Sequence, residues 1–458
     1  MPGGLMGLLQ LGRRSLQAQQ YAQNIVGNNI ANVNTPGYSR QRVRMVPGPT
    51  VDSPQGKLGS GVNVDGIERM RDNFTDQIYR NSLSNLNRWE AADLILQRTD
   101  AAFSEEDGSG IGAMIDRFFN SWYDLSNDPE SSQSRIAVRE AGISLSTTMN
   151  RMGNFVHAQR VDANAQVESV AGQVNDLLSK IAELNGKIPG IKDLSINRSS
   201  ELMDQRDRLI DDLSKLVDVQ TTDSGLAGMN VYIGTMNVVS GGNYVAIEIT
   251  SSVINDVPIS ELKLMGNVPL EVKSGELASL IELRDETLPG YAAELDTLAA
   301  AIVEQVNAIH TSGYTADGRT GINYFDNQFI TAQSMQLSSD ILNDVSNLAP
   351  SGVDAAGDNS QALRIAELKD LHTIGSSSIR DYYGQIINQI GEDGYLANVN
   401  VQNYEIIQSQ TALQREAIMG VSLDEEMVEM IKYEQAYNAI ARVISTADSM
   451  IETLLSLK

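Results

Sequence analysis

Two apolar stripes, one at each end of the chain, constrain most tightly what this sequence can fold into. Towards the C-terminus Met430, Tyr433, Tyr437, Ile440, Ile444, Ala447, Ile451 and Leu454 recur at alternating steps of three and four, with no charge among them. That repeat is the seam of a coiled coil. Ser422-Leu-Asp-Glu425 opens the helix as a capping box, in which Ser422 accepts from the Glu425 amide and the Glu425 carboxylate reaches back. Asp424, Glu425 and Glu426 complement the positive end of the helix dipole, and Lys458 the negative end. Near the N-terminus Leu5, Leu8, Leu9, Leu16, Ala22, Val26, Ile30 and Val33 share one side of a helical wheel whose opposite side is Gln, Asn, Arg and Ser. This helix should stop at Asn34-Thr35, because Pro36 turns the residue before it away from helix and Gly37 follows. An amphipathic helix alone is marginal in water, so each stripe needs a cover. The other end of the same chain is the simplest one. Residues 1–34 carry Arg13 and Arg14 without an acid, whereas 422–458 carry seven acids against Lys432, Arg442 and Lys458, or +2 facing −4. The competing reading makes both helices ordinary core elements.

At 458 residues the chain has material for about three domains. Hydrophobic residues make up 41% but aromatics only 5%, so cores must be built mainly from Leu, Ile, Val, Ala and Met, which suits helices. A net charge of −25 disfavours nucleic acid and anionic membranes as partners, and no stretch has the ~18–20 apolar residues that a membrane span needs. With no cysteine, disulfides and thiolate chemistry are excluded. Neither a cleaved signal peptide nor a transit peptide fits the N-terminus well. The apolar residues from Leu5 to Leu9 precede the arginines instead of following them, and Thr35-Pro36-Gly37 breaks the helix.

Between the ends, Ala163, Val167, Val170, Val174, Leu177, Ile181, Leu184 and Ile188 predict a helix ended by Asn185-Gly186 and Pro189-Gly190. Leu202, Leu209, Leu213 and Leu216 make a shorter amphipathic partner. Further helices are expected over 277–309, with Pro289 a kink or restart, and over 376–419, weakened at Gly391 and Gly394. Residues 40–64 read as extended. Within 218–274, Val231 and Ile233, then Val245, Ile247 and Ile249, alternate with polar residues around Gly241-Gly242. Residues 313–357 are rich in Gly, Asp, Asn and Ser. The expected fold is mainly α: a long helical bundle with N- and C-terminal helices paired as a coiled coil, plus a small β-rich outer lobe. Its parts would be 1–39 with 420–458 as an axial segment, 40–217 with 275–312 and 358–419 as a helical body, and 218–274 with 313–357 as the lobe.

Catalytic signatures are weak. His157, His310 and His372 have no metal spacing, and no His-Glu-x-x-His or Gly-x-Ser-x-Gly occurs. Gly108-Ser109-Gly110-Ile111-Gly112 follows acidic residues instead of a strand and lacks the lysine of a nucleotide loop, so it reads as a turn. The pair Asp204 and Asp207 could do acid–base work, but the reading preferred here has Arg206 compensating them in a helix-surface network. No catalytic residue, cofactor or metal is expected.

Ala31-Asn-Val-Asn-Thr35-Pro-Gly37-Tyr38-Ser-Arg40 resembles the segment that closes the N-terminal helix in bacterial flagellar rod, hook and hook-associated proteins. Further segments are similar to one branch, the hook-associated protein 1 family of the hook–filament junction. They include Phe118-Phe119-Asn-Ser-Trp122, Asn127-Asp-Pro129, Leu202-Met-Asp-Gln-Arg206-Asp207, Arg284-Asp285, Leu288-Pro289, Asn307 with His310, Leu423-Asp-Glu-Glu-Met427 and Gln435-Ala-Tyr437. The resemblance spans nearly the whole chain, with a lobe smaller than many relatives carry. It implies a non-enzymatic, extracellular flagellar subunit, exported through the flagellar type III apparatus without a cleaved signal and joining hook to filament. Its implied partners are copies of itself in a ring, the hook protein, a second junction protein with the filament, and an export chaperone, with no nucleic acid and no membrane insertion. The terminal helices would fold on assembly, while Trp122 and Phe118 would anchor a core and Asn307 and His310 would serve packing. The candidate assembly interface comprises Leu5, Leu9, Leu16, Val26, Ile30, Ala31, Asn32, Thr35, Gly37 and Tyr38, with Leu423, Met427, Met430, Tyr433, Tyr437, Ile440, Ile444, Ile451 and Leu454. A secreted coiled-coil adhesin or binding module is the alternative.

Overall fold

Long helices dominate, as a core diet poor in aromatics and rich in Ala, Leu and Ile favours. The computed structural model describes residues 4–53, 56–104, 108, 110–188, 196–223, 228–254, 257–355 and 357–456. Its helices in chain order are α1 Gly4–Ala31, α2 Asn73–Phe103, α3 Ile111–Asn127, α4 Ser132–Lys187, α5 Ile196–Leu216, α6 Glu276–Glu282, α7 Leu288–His310, α8 Ser339–Asn343, α9 Ser360–Glu367, α10 Ile379–Met419 and α11 Leu423–Ser456. The strands are β1 Gln41–Pro47, β2 Val51–Ser53, β3 Gly56–Leu58, β4 Val62–Arg69, β5 Val219–Asp223, β6 Met229–Ile233, β7 Met236–Ser240, β8 Asn243–Tyr244, β9 Glu248–Ile254, β10 Val257–Leu264, β11 Val268–Pro269, β12 His372–Ile374 and β13 Ser377–Ser378.

The chain divides into two compact units. The first comprises Met1–Ser84, Gln173–Ala246 and Tyr404–Lys458, the second Asn85–Gly172 and Ile247–Asn403. In the first unit α1 and α11 pack together and β1 pairs antiparallel with β4, Val43 lying opposite Ile67 and Met45 opposite Val64. These strand residues close with buried Ala22 and Ile25 of α1 and with Tyr433 of α11 into one apolar cluster. An antiparallel sheet in the order β5-β6-β7-β8 completes this unit. The second unit is centred on α3, whose Phe118, Phe119 and Trp122 are fully buried with Tyr324 and Phe325. Ring centroids lie 5.4 Å apart for Trp122 and Tyr324 and 4.7 Å for Tyr324 and Phe325. Asn307 and His310 on the last turns of α7 stitch the loop chain to this cluster. The Asn307 side chain accepts from the Tyr324 and Phe325 amides and donates to the Phe325 carbonyl. His310 lies 2.7 Å by Nδ1 from the Ile322 carbonyl and accepts at Nε2 from the Ala349 amide. This arrangement requires the neutral imidazole, and burial pushes its pKa down to about 4.

Several expectations are corrected. The strands of 218–274 do not form one lobe with 313–357. β5–β8 and β9–β11 are separate sheets in different units, and within the described part of 313–357 the strand pairing is limited to isolated bridges. Helix α4 is far longer than the stripe beginning at Ala163, and it runs through Asn185-Gly186 to Lys187. Asn185 tolerates this because its buried side chain donates to the Met229 carbonyl instead of competing for its own backbone. Pro189-Gly190 lies outside the described residues. Pro289, by contrast, marks a restart as expected: a π-helical turn, Leu283–Thr287, precedes it, and α7 begins at Leu288 with Pro289 in its first turn.

Candidate assembly interface

Helices α1 and α11 pair antiparallel. A Cβ on Gly12 would stand 2.5 Å from Ile444 Cγ1, one on Gly27 would lie 4.0 Å from Met430 Cε, and Asn29 bonds to Glu426. Descending α1 therefore matches ascending α11. The close approach is made on small residues, with Gly12, Ala18, Ala22, Ile25 and Val26 buried on α1. Of the interface candidates on this helix, Val26 is buried, Leu5, Leu9, Leu16 and Ile30 are half-buried, and Ala31 is exposed. On α11, Met430, Tyr433, Tyr437, Ile440, Ile444 and Ile451 are half-buried, and the seam residue Ala447 is buried. Leu423, Met427 and Leu454 are exposed, at 46%, 51% and 58%, together with Val428 and Ile431. The seam is thus covered along one side, and a second band of apolar surface remains in water.

The segment after α1 works as a clamp. The helix stops at Ala31, three residues before the sequence expectation, and Asn32 to Thr35 form turns in which the Thr35 hydroxyl donates to Asn32. Gly37 has φ +72°, and Arg208 packs where a Cβ would stand, so glycine is required twice over. Half-buried Tyr38 donates its hydroxyl to Asn29 Oδ1, and Asn29 in turn accepts from the Gln41 amide and donates both to the Gln41 carbonyl and to Glu426. Burial first, then Asp204, Glu426 and Glu201, push the Tyr38 hydroxyl well above its ordinary range, which keeps it a donor. Arg40 bonds at 2.7 Å to both Glu425 and Glu426, and its amide donates to the Met419 carbonyl. Asn29, Tyr38 and Arg40, with Glu425 and Glu426, thus lock the end of the first helix to the start of the last.

Two sequence expectations change here. Ser422 accepts from the Glu425 amide, but the Glu425 carboxylate goes to Arg40 instead of reaching back, so half of the capping box is exchanged for an ion pair between distant segments. Among the described residues Arg13 and Arg14 make no ion pair with α11, whereas Arg40 does. Glu426, read from the sequence as complementing the helix dipole, is only 1% exposed and sits in the seam. Its signal was present: four residues before Met430, it continues the three–four repeat, and an acid in a seam must have a buried partner.

Beneath the clamp sits a cluster of charges. The Ser39 hydroxyl and amide donate to Asp204, while Arg69 Nη1 lies 2.8 Å from Asp204 and 2.7 Å from Asp207. Arg71 bridges Asp207 and Asp76, Arg80 bonds to Asp211, and Arg415 bonds to Asp76 and Asp211. Asp204 and Asp207 are therefore buried, not superficial, and Arg206 is not their main counter-charge: its Nη1 donates to Asn185. Burial alone would raise the Asp207 pKa, but Arg71 and Arg69, then Arg80 and Arg206, hold it well below the usual carboxylate range. So engaged by Arg69 and Arg71, the Asp207 carboxylate holds structure. Among the described residues no group of His, Asp and Glu could hold a metal ion, and no helix is long and apolar enough to cross a membrane.

Residues 96–325, half of the chain, match the flagellar hook-associated protein FlgK helical domain family. Residues 9–38 match the flagella basal body rod protein family, and 414–457 the flagellar basal body rod FlgEFG protein C-terminal family. Flagellar hook-associated protein 1 of Bacillus subtilis (strain 168) is 28% identical over 504 residues, covering 100% of this chain and 99% of the relative. The protein of the same name from Salmonella typhimurium is 23% identical over 566 residues, covering 99% and 100%. The solved flagellar hook junction protein FlgK from Burkholderia pseudomallei shares the fold, with a TM-score of 0.65 at 14% identity over 76% of this chain and 100% of that one.

Proposed function

This chain belongs to the flagellar hook-associated protein FlgK family, and from that premise we propose that it joins the flagellar hook to the filament by assembling with copies of itself through its terminal helices. The family is a structural one of the flagellum, not an enzyme family. The reading goes further in making 1–39 with 420–458 the axial segment of a ring between hook protein below and a second junction protein with the filament above. The subunit reaches the cell exterior through the flagellar export channel, escorted by a chaperone that shields its apolar ends.

The observation that carries this is the α1–α11 pair. Within one chain each helix covers one side of the other, and the clamp at Tyr38, Arg40 and Glu426 holds the pair in register. The uncovered band at Leu423, Met427, Val428 and Ile431 and the half-buried edge of the seam are what neighbouring copies would bury. At about 25 cal/mol per Å² of apolar surface, even a few hundred Å² per copy supplies several kcal/mol to association. Met427→Asp and Ile431→Asp, in the uncovered band, test this on purified hooks that lack the chain. Both variants are expected to keep the wild-type helical content in solution and to lose ring formation at hook tips by electron microscopy. Normal hook–filament joining by either variant would overturn the assignment.

A further inference from the structure

A sheet ends in edge strands, and a bare edge is a template for pairing with another chain. Most edges of this protein are blunted. β8 and β11 are two residues long, and Pro269 removes an amide from the second. β5 is covered from α2, where Gln77 donates to the Val219 carbonyl and Arg80 to the Thr221 hydroxyl. The register of β1 with β4 shifts between Arg44 and Met45. β9 has none of these devices. Its seven residues, Glu248–Ile254, pair with β10 in an unbroken register, and among the described residues its backbone bonds to nothing else. It holds no Pro and no Lys, and its single charge is at its first position.

Ile249, Ser251 and Val253 share one face of this strand, opposite Leu262, Ser260 and Pro258 of β10. On β10, Leu262 and Ser260 are buried, and Ser260 bonds to Asn164 and Glu168 of α4. Ile249 and Val253 are 39% and 73% exposed, so β9 reaches past the helix that covers β10. These two apolar residues stand symmetrically about Ser251. Laid antiparallel on a copy of itself with Ser251 at the axis, β9 sets Ile249 of each copy beside Val253 of the other. Thr250 then meets Ser252, and Glu248 meets position 254, so no like charges oppose one another. We propose that two copies of this chain pair through β9 about a two-fold axis at Ser251, merging two three-stranded sheets into one of six strands. Such a contact is isologous and cannot recur between neighbours that all face the same way round a ring. It therefore belongs to the free subunit, where it covers the bare edge and parts on assembly, and it does not depend on the assembly reading. A pair of seven-residue strands buries less than the ~1,200 Å² of a stable interface, so the dimer is weak and exchanges readily.

Sedimentation equilibrium of the full-length chain, from micromolar to millimolar concentration, is expected to show monomer and dimer. Added salt should favour the dimer, because it screens the charge of −25 on each copy. Val253→Lys, at an exposed site, should keep the wild-type helical content and weaken association tenfold or more, whereas Met427→Asp on α11 should leave it unchanged. Because the chain has no cysteine, engineered ones report the register. Ser251→Cys should give a disulfide-linked dimer. Ile249→Cys mixed with Val253→Cys should link across the two variants tenfold or more faster than within either. Met265→Cys, in the exposed turn after β10, measures chance collision. A chain that stays monomeric throughout, a dimer indifferent to Val253→Lys or lost with Met427→Asp, or Ser251→Cys linking no faster than Met265→Cys would each overturn the proposal. Failure of the unsubstituted chain to cap hooks would sink the assembly reading and leave this inference standing.

Discussion

Around Trp122 in the second unit, Phe118, Phe119, Tyr324 and Phe325 close an apolar cluster, whereas around Asp207 in the first unit Arg69, Arg71 and Arg80 close a cluster of charges. The first kind of centre gains free energy from area and tolerates small shifts. The second gains little net energy over apolar packing and is lost if one partner goes, but it admits only one arrangement of its members. The charged cluster gathers Ser39 after α1, Arg69 at the end of β4, Asp76 and Arg80 on α2, Asp204 and Asp207 on α5 and Arg415 on α10. A helix pair half-uncovered to solvent needs a base that sets its direction, and directional bonds do that where grease does not.

Four measurements would break or sharpen this contrast. Trp122→Ala, which empties a fully buried site, should cost about 3–5 kcal/mol in chemical denaturation. Asp207→Asn keeps the shape but leaves Arg69 and Arg71 under-compensated, and should cost about 3 kcal/mol. A loss below about 1 kcal/mol would show the charge cluster to be dispensable. Acid separates the two centres. His310 has a native pKa near 4 against an ordinary value of 6.5, so between these values the unfolded chain binds the extra proton. Its stabilisation is complete above pH 6.5 and falls away as the pH drops through 4, about 3 kcal/mol in all, with His310→Gln flattening that limb. The depressed carboxyl of Asp207 adds its loss only below its ordinary value of 3.8. The smallest effect is expected from Gly12→Ala. The new methyl meets Ile444, but alanine also gains helix propensity, so the net loss should stay within about 1 kcal/mol. It should read out as faster proteolysis within α1, and unchanged cleavage would mean that the pair closes less tightly than described.

The terminal helices were legible because their signal is local and periodic: eight apolar residues at steps of three and four define α11 without knowledge of any partner. Helix α2 and the first half of α4 gave no clean stripe. They carry buried polar side chains such as Arg80, Ser82 and Ser146 among their apolar ones, which blurs the periodicity. The candidate interface was legible as two stripes and a signature, but its lock was not. From the sequence Glu426 looks like an ordinary acid in the first turn of a helix, and Asp204 and Asp207 like acids compensated by Arg206.

By itself the sequence determined the two paired ends, the predominance of helix and the turn at Gly37, because periodicity, composition and backbone sterics act over a few residues. Tertiary structure alone decided which acid meets which arginine, where the strands of 218–274 divide, and that Gln41 is buried. Those outcomes depend on groups brought together across the chain, as Asn29 and Glu426 are from 397 positions apart, and burial sets the worth of such a contact only after the fold has formed.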